Sequence, residues 1–180
     1  MRDKRQSGYT IIDFAMMLGV LAVLGAVSLP PAMEALRTYR RNAAARHLVS
    51  EIRAVQSLAV TRGGVFGLEW GAAGSPQPSD RYRIVRDTTG VCGFPAAHAP
   101  LDGANVIRDW ANLSDQYSEI TIESIRDSDD HSLGFVMFDA MGASMSSCSA
   151  VSFPVTVTLV DEAGGRKTIE IRRSGIARLR

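Results

Sequence analysis

From Tyr9 to Leu29 the chain is apolar almost throughout, and within that run it carries one acid, Asp13. The run has the roughly 20 residues that a helix needs to cross a hydrocarbon core of about 30 Å. A secretory signal has a shorter apolar core with a small-residue cleavage site after it, whereas this run is longer and is broken by an acid. Gly19 and Gly25 inside it suit close helix packing. Arg2, Lys4 and Arg5 outweigh Asp3 in the leader before it, and positive charge in that place holds a leader on the cytoplasmic side. Asp13 is the feature to explain, because a carboxylate within a membrane helix costs about 2.5–3.5 kcal/mol on insertion scales. Two arrangements answer it. Asp13 lies near enough to the headgroups to stay wet, or it pairs with a positive charge from another chain.

Beyond the run, 180 residues allow one ordinary domain with an N-terminal appendage. A net charge of +1 gives no global argument for a nucleic-acid protein. After Pro30-Pro31, where a new helical turn or a kink is expected, Leu48, Ile52, Val55 and Ala59 recur on one helical face. Gly63-Gly64 stop this helix. The arginines between Arg37 and Arg46 read as a solvated face and membrane flank, or as a contact with anionic lipid or a partner. From Val65 the period shifts toward two. Strands are expected at Val65–Trp70, Tyr82–Arg86, Glu119–Ser124, Leu133–Phe138, Val155–Val160 and Lys167–Arg172, with Asp161 to Gly165 as a hairpin loop and loops around 71–80 and 90–104. The expected fold class is α+β: a long N-terminal helix, half membrane and half amphipathic, packed on an antiparallel β-sheet domain. Its divisions are a basic leader at 1–8, a transmembrane helix at 9–30, an amphipathic helix at 31–63 and a β domain at 64–180.

Catalytic chemistry has little to stand on. His47, His98 and His131 share no ligand spacing, and there is no HExxH, P-loop or GxSxG. No enzyme activity and no cofactor is expected, and His47 reads as structural or solvated. Asp127, Asp129, Asp130 and His131 are a candidate calcium loop, but without the EF-hand Gly and distal Glu a polar turn is the better reading. Asn112-Leu-Ser114 matches a glycosylation acceptor by three residues only. Cys92 and Cys148 form one disulfide if they lie outside the cytoplasm, or are two small buried hydrophobes if they do not. Near the C-terminus Arg166, Lys167, Arg172, Arg173, Arg178 and Arg180 outnumber Asp161, Glu162 and Glu170. On a strand Arg172 and Arg173 point to opposite faces, whereas Arg178 and Arg180 share one.

Taken together, the basic leader, GYTIIDF and the apolar run ending at Pro30 resemble the N-terminus of type IV pilins and pseudopilins. The resemblance implies that prepilin peptidase cuts between Gly8 and Tyr9 and that Tyr9 becomes the N-methylated first residue. Asp13 then holds the fifth mature position, where the family has Glu, and faces the free amine of a neighbouring subunit. Leu48 to Leu68 is similar to the GspH/FimT group of minor pseudopilins and minor pilins, with Gln56 where that group often has Arg. What this implies is a filament subunit of a type II secretion or type IV pilus system. It would sit in the bacterial inner membrane with its C-terminal domain in the periplasm. Its partners would be other pilins or pseudopilins, the peptidase and the inner-membrane assembly platform. The alternative is a pilus-borne DNA receptor using Arg172, Arg173, Arg178 and Arg180. DNA-uptake members carry a Gly-Arg-x-Arg ending, and here Ile176 replaces the first of those arginines.

Overall fold

The face formed by Leu48, Ile52, Val55 and Ala59 is fully buried, and Ala44, Ala45 and Val49 extend it. In the computed structural model this face belongs to α1, Ile11–Arg62, which runs as one helix through positions 30 and 31. Residues 10–71, 81–87, 106–145 and 151–180 are described. The proposed cut at Gly8 and Tyr9, together with Cys92, His98 and Cys148, lies outside them. The chain divides into two compact units, Met1–Thr38 and Tyr39–Arg180.

In the second unit α1 ends on a glycine for a backbone reason. Gly63 has φ 62°, the left-handed region that favours glycine, and the Gly64 N–H donates to the Ala59 carbonyl at 3.2 Å. That six-to-one bond satisfies a carbonyl the helix would otherwise leave open. Among the described residues eight strands follow, in two antiparallel four-stranded sheets. The first contains β1 (Val65–Trp70), β2 (Arg81–Asp87), β3 (Val106–Asn112) and β5 (Phe135–Phe138), in the order β3-β2-β1-β5. The second contains β4 (Ile120–Arg126), β6 (Val155–Asp161), β7 (Arg166–Ile171) and β8 (Ala177–Leu179), in the order β4-β6-β7-β8. A short helix α2, Leu113–Gln116, joins β3 to β4. Side chains from both sheets and from α1 share one core, which includes Phe66, Phe138, Leu159 and Ile169.

The six expected strands are present, with shifts at their ends that have local causes. Glu119 takes a left-handed φ of 72°, so β4 begins at Ile120 rather than Glu119. Leu133 donates to the Ile125 carbonyl at 2.9 Å instead of joining β5. The final expected strand stops at Ile171, because Arg172 opens the turn closed by Gly175 N–H on its carbonyl at 2.8 Å. Arg172 and Arg173 therefore lie in a turn and not on opposite faces of a strand. β3, β8 and α2 were not expected from the sequence. β3 is mostly exposed and β8 has three residues, so neither carries a strong alternating signal.

Candidate assembly site

The described part of the first unit is helix and has no core. Ile11, Phe14, Met17, Val20, Leu24 and Val27 are all exposed. A helix that is apolar around its circumference is stable only where lipid or other protein covers it. Among the described residues it is the one helix long and apolar enough to cross a bilayer.

Asp13 sits at the start of that helix and works locally as well. Its Oδ2 accepts from the Thr10 backbone N–H at 3.0 Å and from the Thr10 hydroxyl at 2.8 Å, while the Asp13 N–H donates to Thr10 Oγ1 at 3.3 Å. This reciprocal pattern is a capping box, which satisfies donors that a helix start leaves open. Thr10-x-x-Asp13 ahead of an apolar run is a legible signal for it, and the sequence reading passed over Thr10. Among the described residues Oδ1 of Asp13 accepts no hydrogen bond, so one oxygen remains for an outside donor.

In the second unit the ionisable groups mostly fasten elements together. Arg41 donates to the buried Asp161 at 2.7 Å, and Asp161 also accepts from Gly165 N–H at 2.7 Å, which ties the β6–β7 hairpin to α1. Arg40 lies 3.8 Å from Glu119. The arginine cluster is thus only in part a solvated face. His47 Nε2 is 2.9 Å from the Tyr82 hydroxyl. Burial, and then the Glu51 carboxylate, push that phenol up to about 12. Arg83 and Glu69, cross-strand neighbours in β2 and β1, form a buried ion pair at 2.6 Å, with the Arg83 guanidinium 4.6 Å from the Trp110 ring centre.

The acidic segment has a structural occupation. Asp127 is buried and accepts from the N–H groups of His131 at 2.8 Å, Asp129 at 3.0 Å and Ser152 at 3.4 Å, with His131 Nδ1 3.3 Å away. Asp127, Asp129 and His131 could each turn one ligand atom to a common point. Both Asp127 oxygens already serve the turn, however. Burial alone would raise its carboxyl, but these donors outweigh burial and hold it below the usual carboxylate range. A depressed folded value means stability that is present above the unfolded value of about 3.9 and lost as pH falls through the folded one. Asp127→Asn is expected to lower Tm at pH 7, with the gap to the parent chain narrowing below about pH 4. Thermal scans across pH check this, and a gap that stays constant with pH would contradict it.

At the C-terminus the four arginines do not form one free patch. Arg172 Nε donates to Glu170 at 2.8 Å, Arg180 lies 3.7 Å from the same carboxylate, and Arg178 is the cross-strand neighbour of Glu170. The hydrogen bond from Arg172, with the arginines around it, holds Glu170 below its ordinary range. Arg173 is exposed in the turn.

No protein-family model matches the chain, and no curated protein sequence does. Among solved structures, the type IV minor pilin FimU of Pseudomonas aeruginosa superposes with a TM-score of 0.51 at 14% identity, over 79% of this chain and 90% of that one. The minor pseudopilin EpsH of the Vibrio cholerae type 2 secretion system gives 0.49 at 10% identity, over 78% and 96%. Escherichia coli GspH gives 0.45 at 14%, over 79% and 88%. A long N-terminal helix built into an antiparallel β domain, superposing on FimU, gives this chain the type IV pilin-like fold.

Proposed function

We propose that the chain is a minor pseudopilin or minor pilin, a non-enzymatic filament subunit of a bacterial type II secretion or type IV pilus system. One observation carries the reading. A single helix has an apolar, uncovered first part, whereas its last turns are built into the core of a β domain. Such a helix needs an apolar environment from outside the chain, which the bilayer supplies before assembly and sister helices supply after it. The β domain then lies in the periplasm, and the inner-membrane platform draws the subunit into the filament.

Prepilin peptidase cuts after Gly8 and Tyr9 is N-methylated. The cut creates an amine, and Asp13 of a neighbouring subunit pairs with it through the oxygen that the capping box leaves open. Two charges that are each costly in an apolar filament core neutralise one another there. Mass spectrometry of the mature N-terminus tests this: the chain should begin at Tyr9 with one added methyl group. A chain still beginning at Met1, or starting after Leu29, overturns the proposal. The DNA-receptor alternative has less behind it, because Glu170 sits among the arginines it would use.

A further inference from the structure

Three segments meet at the C-terminal end of α1. Gln56 Nε2 donates to the Gly142 carbonyl at 2.7 Å. Gly142, at φ 78°, lies so close to the helix that a Cβ there would stand 3.1 Å from Val60 Cγ2. Gly175, at φ 80°, is tighter still: a Cβ would stand 2.1 Å from the Gly142 carbonyl oxygen and 2.4 Å from Gln56 Nε2. The Ser144 hydroxyl donates to the Arg172 carbonyl at 2.6 Å and its N–H to the Arg173 carbonyl at 3.0 Å. Asp139 Oδ1 accepts from the N–H groups of Met141 and Ala143, both at 2.9 Å. The turn at 139–142 and the turn at 172–175 are therefore clamped to each other and to the last turns of the helix.

This clamped platform presents apolar side chains to solvent. Met141 is 89% exposed at one turn tip, Ile176 is 46% exposed beside the other, and Val60 is 51% exposed on the helix between Gln56 and Arg62. Methionine and arginine are enriched at protein interfaces, and a preorganised surface loses little freedom on binding. The nearby charge has one sign. Arg62 and Arg173 are exposed and have no acidic partner among the described residues. The acids close by are already engaged, Asp139 by backbone N–H groups and Glu170 by Arg172 and Arg180.

We propose that Val60, Met141 and Ile176, rimmed by Arg62 and Arg173, form a docking surface for a second, different filament subunit, which presents an apolar side chain flanked by carboxylates. This rests on the filament-subunit reading above. The surface surrounds the C-terminal end of α1 and lies within the second unit. Charge complementarity selects an acidic protein partner, and the unpaired arginines would repel a second copy of the same patch.

The test places a photo-cross-linking benzophenone residue at position 141 of the full chain in producing cells, with a control at exposed Thr121 in β4. Position 141 should yield an adduct with a different pilin-like subunit, joined within a segment that contains Asp or Glu. Joint Arg62→Glu and Arg173→Glu should lower that yield roughly tenfold, and joint Arg62→Lys and Arg173→Lys should preserve it. An adduct only with a second copy or with lipid overturns the proposal. So does a yield no higher than at position 121, or a charge-reversed variant that cross-links as well as the parent. Recovery of the parent chain in sheared filaments is measured alongside. If the parent is recovered there and position 141 fails, the docking surface alone falls. If the parent is not recovered, the filament reading falls and the docking surface with it.

Discussion

Asp13→Ala is expected to leave membrane insertion and processing at Gly8 intact and to remove the chain from filaments. Insertion should not suffer, because an unpaired acid in the helix is a cost and its loss removes that cost. On the pairing proposed above, assembly should suffer severely, because the Tyr9 amine of the neighbouring subunit would be left buried without its counter-charge. Breaking such a pair from one side costs about 3–5 kcal/mol, which corresponds to a fall in incorporation of roughly a hundredfold or more. The Thr10–Asp13 capping box complicates the alanine variant, since it also loses hydrogen bonds worth about 1 kcal/mol. Asp13→Asn separates the two roles, because an amide oxygen still accepts from Thr10 and carries no charge. Immunoblots of membranes and sheared filaments, with N-terminal mass spectrometry, read both variants. Normal incorporation of Asp13→Asn would remove the pairing role and leave Asp13 as a helix cap.

Glu69→Leu is expected to destabilise the second unit by about 3–5 kcal/mol, with a fall in Tm on the order of 10 °C. It leaves the buried Arg83 guanidinium without the Glu69 carboxylate, against the Trp110 ring. The pair Glu69→Leu with Arg83→Met should recover most of the loss, because two charges leave the interior together and apolar side chains fill similar volume. Thermal denaturation of the full chain in detergent, followed by circular dichroism, checks both. If the single variant lost less than about 1 kcal/mol, the pair would be behaving as a solvated surface bridge.

How far the sequence went differed by element. The core face of α1 and its stop at Gly63 were legible, because helical period and left-handed glycine are local properties. β6 was equally plain, since Val155, Val157 and Leu159 alternate with less buried residues. β3 was not, because most of its residues are exposed and the strand exists through pairing with β2. Glu69 and Arg83 read as surface charges in any one-dimensional pattern, and only the cross-strand register buries them against each other. Asp127 invited a metal reading, because a sequence shows carboxylates and not the backbone N–H groups that occupy them.

By itself the sequence determined the apolar helix, the single acid near its start, the basic residues ahead of it and the place where helix gives way to strands. These follow from composition and period along the chain, which need no distant partner. Only the tertiary structure decided which charges are paired, since Arg41 meets Asp161 across 120 residues. It alone brought Gln56, Gly142 and Gly175 together and left Met141 exposed beside them. Contacts between residues far apart in sequence are fixed by strand order and register, and those are properties of the whole core.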